Sequence, residues 1–195
     1  MILGITGGSG SGKTTLLEFL REKDAVVLDC DRIYHRLLET DPALLQSLED
    51  RFPQAFLNGK LQRKQLGKLV FSDENALEDL NRITHSRVKE EITHLLAGKP
   101  DFAVIDAIGL FEGELDSLCD LTVAVCAPIE MRISRLVARD SITPAYAAAR
   151  IRAQKEDDWY IQRCDHVLYN DSTPEAFEEK CIAFWERLSI IKENH

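Results

Sequence analysis

Short apolar runs alternate along this chain with longer segments in which apolar residues recur every three or four positions. The runs are Met1-Ile2-Leu3-Gly4-Ile5, Ala25-Val26-Val27-Leu28, Phe102-Ala103-Val104-Ile105, Leu121-Thr122-Val123-Ala124-Val125 and His166-Val167-Leu168-Tyr169. Uninterrupted apolar runs of that length are what strands buried on both faces show, as in a parallel sheet covered by helices. The intervening periodicity predicts helices: Thr14 to Leu20, a series from Ile33 to Ala97, one from Glu130, one after Thr143-Pro144, and one from Pro174 to Leu188. Asp41-Pro42 and Asp73-Glu74 read as helix starts, and Phe52-Pro53 and Asn58-Gly59 as breaks. Strands alternating with helices predict an α/β fold, a doubly wound five-stranded parallel sheet. The helical stretch at 33–97 is too long for a plain crossover and reads as an inserted subdomain.

Between the first strand and the first helix stands Gly7-Gly8-Ser9-Gly10-Ser11-Gly12-Lys13-Thr14, which fits G-x-x-x-x-G-K-[ST]. A polyphosphate is wrapped by consecutive backbone N–H groups, and residues without a Cβ let the chain curl that tightly. The helix that follows turns its free N–H groups and positive dipole end toward the anion. In this pattern Gly8, Ser9, Gly10, Ser11, Gly12, Lys13, Thr14 and Thr15 are expected to hold the nucleotide, with Lys13 at the β/γ-phosphates and the Thr14 hydroxyl on Mg²⁺. ATP and Mg²⁺ are the expected cofactors.

Two acidic sites follow strands. Asp29-Cys30-Asp31 comes after the second run and Asp106 ends the third. Ligands bind beyond the carboxyl ends of strands in open α/β sheets, so both belong on the edge that carries the phosphate loop. Asp106 is expected to hold Mg²⁺, directly or through water. Asp31 puts a carboxylate near the transferred phosphoryl group, and it also fits as the N-cap of a helix beginning at Arg32.

The formal net charge of −9 over 195 residues argues against broad binding to nucleic acid or anionic membranes. It makes the cluster Arg132, Arg135, Arg139, Arg150, Arg152 and Lys155, set against Asp140 alone, the expected place for phosphates to be met. No apolar run approaches the ~20 residues of a membrane span, and the chain opens directly on a strand, so a cytoplasmic protein is expected. The cysteines, Cys30, Cys119, Cys126, Cys164 and Cys181, are widely spaced without a C-x-x-C pair, which argues against a disulfide framework or zinc site.

Taken together, the phosphate loop, the Asp-x-Asp-x-Ile-x-His pattern at Asp29, Asp31, Ile33 and His35, and Gly59-Lys60-Leu61-Gln62-Arg63 with Val70-Phe71 resemble dephospho-CoA kinases. The likeness continues through His85, Leu110-Phe111-Glu112, Arg135, Arg139-Asp140, Arg150-Ile151 to Gln154, Asp165 and Asn170, which is nearly the whole chain. Ile108-Gly109 and Ser86 stand where the family usually has Pro-Leu and Pro, and the phosphate loop is spelled more as in uridine kinases.

The resemblance implies a P-loop, nucleoside-monophosphate-kinase-like fold with a core at 1–32, 98–138 and 165–195, a helical acceptor subdomain at 33–97 and a lid at 139–164. It implies transfer of the γ-phosphoryl of ATP to the ribose 3′-hydroxyl of dephospho-CoA by a monomer or weak homo-oligomer. Lys13, Asp31 as base, and Arg139 are then the catalytic residues, and Arg139 and Asn170 join the loop at the nucleotide. Asp31, Arg63, His85, Arg135, Arg150 and Gln154 are the implied acceptor-side contacts. The rivals are a nucleoside kinase of the uridine or cytidine type, and an ATP-dependent regulatory switch with slow hydrolysis unaffected by small acceptors.

Overall fold

The computed structural model describes residues 1–193. Seven strands and nine α-helices are formed among these described residues. Five strands, β1 (Ile2–Thr6), β2 (Val26–Asp29), β5 (Ala103–Asp106), β6 (Leu121–Cys126) and β7 (His166–Tyr169), make one sheet in the order β2-β5-β1-β6-β7. Pairing is parallel, with Ile5 opposite Asp106 and Val123, and Cys126 opposite Tyr169. The expected parallel five-stranded sheet is present, and β1 with its phosphate loop lies at its centre.

Burial on both faces explains why the three central strands β1, β5 and β6 are continuous apolar runs, whereas the edge strands β2 and β7 are only partly buried, with Val26 and Tyr169 exposed. Leu3, Ile5, Val104, Val123 and Val125 are fully buried, packed with Leu16, Leu17 and Leu20 of α1 (Lys13–Arg21) and Phe177, Cys181, Phe184 and Leu188 of α9 (Pro174–Glu193). At ~25 cal/mol per Å² of apolar surface, each such Leu, Ile or Phe contributes about 1.5–3 kcal/mol. The entry to β7 is pinned by polar contacts. Asp165 accepts from Thr122 N–H (2.8 Å) and its hydroxyl (2.8 Å), and Asp165 N–H donates back to that hydroxyl (3.1 Å).

The chain divides into two compact units, one of Met1–Leu28, Pro100–Leu110 and the chain from Asp116 on, the other of Asp29–Lys99 with Phe111–Leu115. The first unit also contains α6 (Ile129–Asp140), α7 (Pro144–Arg152) and α8 (Asp157–Ile161). The second contains α2 (Cys30–Thr40), α3 (Pro42–Arg51), α4 (Arg63–Phe71) and α5 (Glu74–Leu96). It also has an element that the periodicity did not predict, the antiparallel pair β3 (Phe56–Leu57) and β4 (Lys60–Leu61). Asn58-Gly59, read as a simple break, is the two-residue turn of this hairpin, with φ of 51° and 72°. Both positive angles are what a type I′ turn demands, and Asn-Gly meets that demand.

Helix starts follow their capping residues. Asp41 accepts from Ala43 N–H (2.9 Å) and Leu44 N–H (3.3 Å), and Asp73 does the same for Asn75 and Ala76. Asp41 also receives two bonds from Arg87 of α5, at 3.0 and 2.6 Å, which ties α3 to α5. Burial opposes ionisation of Asp41, but Arg87 and the two N–H groups outweigh it and hold the carboxyl below its ordinary value. A carboxyl depressed in the folded state stabilises above its unfolded pKa, near 3.8, and that contribution disappears as pH falls through the folded value. Asp41→Ala is therefore expected to lose about 2 kcal/mol at pH 7, from a cap and an ion pair. In urea melts the deficit should shrink between pH 5 and pH 2; a deficit constant over that range would refute the ionic part.

All five cysteines are free thiols. No helix among the described residues is long and apolar enough to cross a membrane.

Candidate active site

The phosphate loop leaves β1 at Thr6 and enters α1 at Lys13. Gly12 is the N-cap, at φ 104°, and no side chain caps this helix. That contrasts with α2, α3 and α5, whose first N–H groups are occupied by Asp29, Asp41 and Asp73. A helix start left without a carboxylate and presented by a glycine is what an incoming phosphate needs.

The loop is held from behind by its carbonyls. Arg132 Nε donates to Ser9 O (3.0 Å), Arg135 Nη1 to Gly10 O and Ser11 O (3.3 Å each), and Asn170 Nδ2 to Ser11 O (3.0 Å). In a planar trans peptide the C=O of one residue and the N–H of the next point in opposite directions. Fixing Ser9 O and Ser11 O on one side therefore turns the N–H groups of Gly10 and Gly12 to the other. Gln154 completes the brace, accepting from Ser9 N–H and donating to Ser9 Oγ, both at 2.8 Å. Lys13 Nζ lies over the loop, donating to Gly7 O at 2.5 Å.

Close packing leaves no space for side chains at four loop positions, Gly7, Gly8, Gly10 and Gly12. A Cβ on Gly8 would fall 1.9 Å from Arg132 Nη2, and one on Gly12 would fall 2.0 Å from Asn170 Nδ2. The glycines are thus required by the brace as well as by the anion.

Arg132 was counted in the sequence with the phosphate-meeting cluster, and its position corrects that expectation. It is 4% exposed, and besides Ser9 it pairs with Asp157 through Nη1 at 3.0 Å. Burial raises the Asp157 carboxyl above its ordinary value, against the pull of Arg132. A buried guanidinium bonded to a loop carbonyl and a carboxylate is a structural strut. Nothing in the local sequence distinguishes it from its neighbours; only its partners, distant along the chain, do. Arg135 and Gln154, implied acceptor contacts, are brought to the loop itself, and Arg135 also donates to Asn170 Oδ1 at 2.8 Å.

Asp106 ends β5 opposite Ile5, and Ala107 N–H donates to Ile5 O at 3.1 Å, so its carboxylate stands at the sheet edge where β1 gives way to the loop. Thr14 is exposed in the first turn of α1. Each offers an oxygen donor, the kind that a hard cation such as Mg²⁺ takes along with waters and phosphate oxygens. Arg139 and Arg150 are both exposed in part and both bonded to Asp140.

In the second unit, Asp29 caps α2 by accepting from Arg32 N–H at 3.0 Å. The helix starts at Cys30, two residues earlier than the capping role of Asp31 required. Asp31 is therefore not the cap; it is exposed in the first turn. Arg63, at the start of α4, lies 3.5 Å from His35 Nδ1 and 3.3 Å from Glu39. His85 Nδ1 lies 3.2 Å from Glu112 O, at the wall of a cleft of about 950 Å³ lined also by Lys89, Glu112 and Glu114.

The dephospho-CoA kinase family model matches residues 1–175. The dephospho-CoA kinase of Moorella thermoacetica is 33% identical over 194 residues, covering 96% of this chain and 92% of that protein. That of Deinococcus radiodurans is 35% identical over 192 residues, covering 96% and 92%. Among solved structures, a Thermus thermophilus protein superposes with a TM-score of 0.81 at 32% identity, covering 96% of this chain and 97% of that one. The dephospho-CoA kinase from Campylobacter jejuni gives 0.67 at 25% identity, covering 100% and 98%. With that coverage and the phosphate loop in place, the chain belongs to the dephospho-CoA kinase family.

Proposed function

We propose that this protein transfers the γ-phosphoryl group of ATP to the ribose 3′-hydroxyl of dephospho-CoA, giving coenzyme A and ADP, in the cytoplasm. The observation that carries this reading is the family match over residues 1–175, which takes in both the phosphate loop and the inserted helical unit. Phosphoryl transfer is catalysed mainly by positioning and charge neutralisation. The braced loop supplies the first through the N–H groups of Gly10 and Gly12, and Lys13 supplies the second at the β/γ-phosphates.

Thr14 and Asp106 would hold Mg²⁺, which when bound neutralises charge on the same phosphate oxygens. Asp31, just past the carboxyl end of β2, is read as the base that takes the proton of the acceptor hydroxyl. Its freedom from the capping role, which Asp29 fills, supports that reading. Arg139 and Arg150 stabilise charge on the migrating group from the lid at 139–164, whose closure would exclude water as a competing acceptor. Arg135, Gln154 and Asn170 shape the nucleotide loop from behind, and the second unit, with Arg63 and His85, takes the acceptor.

ADP release is measured with Mg-ATP and dephospho-CoA, uridine, cytidine or no acceptor, and the product is identified by mass. Stimulation by dephospho-CoA alone, with gain of one phosphate, is expected. Phosphorylation of a nucleoside would favour the loop spelling over the family, and no stimulation by any acceptor would favour a nucleotide switch.

A further inference from the structure

Asp140 is the last residue of α6, and three charge-assisted hydrogen bonds converge on its carboxylate. Arg139 donates Nε to Oδ1 at 2.7 Å and Nη2 to Oδ2 at 3.0 Å, and Arg150 of α7 donates Nη1 to Oδ2 at 2.9 Å. The first two are the bidentate fork that a guanidinium and a carboxylate form best. The third crosses from one helix to the next.

The helix pair beneath is fixed. Leu136, Ala147 and Ile151 are buried together with Ile133, Val137 and Ile142 around them. Between the helices the chain turns sharply at Ser141, φ 53°, whose N–H donates to Val137 O at 3.1 Å, and α7 begins under the Thr143 cap. Backbone geometry therefore sets where the two arginines start, and Asp140 sets where their guanidinium groups end.

A partly covered carboxylate held by a bidentate fork and a second arginine adds modestly to stability. Its placement has a different consequence. Without it, two guanidinium groups brought together would repel each other and separate into solvent. With it, the cluster keeps one net positive charge, and each guanidinium retains N–H donors that Asp140 does not occupy: Nη1 on Arg139, and Nε and Nη2 on Arg150. A carboxylate in a group meant to meet phosphate weakens ground-state attraction for the anion, so it is tolerated where orientation matters more than affinity.

We propose that Asp140 is a positioning residue for phosphoryl transfer, aligning Arg139 and Arg150 for the migrating phosphate; the inference rests on the assignment of those two arginines above. Asp140→Asn is expected to lower kcat about tenfold while KM for Mg-ATP stays the same or falls, since misplaced groups lose rate and a removed negative charge does not lose anion affinity. Asp140→Glu, which keeps the charge, should recover much of that kcat. In an Arg139→Ala/Arg150→Ala background, Asp140→Asn should remove nothing further.

Three results would overturn the proposal. The first is kcat of Asp140→Asn within twofold of wild type; the second is a rise in KM together with a lowered urea midpoint, the mark of a structural role. The third is a full tenfold loss that persists without the arginines. If the arginine double variant itself keeps wild-type kcat, the assignment of Arg139 and Arg150 fails first, and the two failures are told apart by that measurement.

Discussion

Lys13→Ala is expected to lower kcat about a thousandfold with the fold intact. The Lys13 ammonium donates to Gly7 O at 2.5 Å, so it is held over the loop by the loop's own backbone. If Lys13 meets the β/γ-phosphates, its ammonium brings three N–H donors and a full positive charge to their oxygens. Charge on those oxygens rises as the γ-phosphoryl group leaves, so the contact strengthens in the transition state and its loss appears in kcat. The loop itself does not depend on Lys13: Arg132, Arg135, Gln154 and Asn170 hold Ser9, Gly10 and Ser11 from the opposite side. Nucleotide affinity should therefore fall far less than turnover, and the urea midpoint should stay close to that of wild type. Single-turnover kinetics with calorimetric ATP binding separates the two quantities; kcat near wild type would refute the assignment of Lys13 to the β/γ-phosphates.

The same brace marks how far the sequence could be read. The loop was legible because its demand for residues without a Cβ is written into local spacing, and the central strands were legible because burial on both faces removes polar residues from them. Asp106 could be placed because a parallel sheet puts every strand's carboxyl end on one edge. Arg132 could not. A buried arginine and an exposed one look alike in a sequence, and what buries Arg132 is a carbonyl at Ser9 and a carboxylate at Asp157. Such contacts depend on packing between distant segments.

The hairpin of β3 and β4 escaped for a different reason. Two residues per strand are too few to display a period of two, so only the Asn58-Gly59 turn carried a signal, and a turn signal alone does not say that strands flank it. The start of α2 was misplaced by two residues, well within the uncertainty of a helix boundary, yet that shift moved the cap from Asp31 to Asp29. Small errors in boundaries matter most where two carboxylates stand two residues apart and have different work.

Asp31→Asn isolates that difference. With Asp29 accepting from Arg32 N–H at 3.0 Å, α2 keeps its cap in the variant, so stability should change by less than about 0.5 kcal/mol. The amide is nearly the size of the carboxylate but cannot take a proton at neutral pH. If Asp31 is the base, kcat should fall about 10²- to 10⁴-fold, the range that general-base catalysis contributes. ATP affinity should hardly move if the phosphate loop, which belongs to the other unit, holds the nucleotide. Acceptor affinity should also survive, since an amide can still hydrogen-bond a hydroxyl. Asp29→Asn is the internal comparison: it retains a capping oxygen and should keep most of its activity. Loss of ATP affinity in Asp31→Asn with turnover preserved would make Asp31 structural, and equal losses of kcat in the two variants would mean that the acidic pair acts through local charge and not through one proton acceptor.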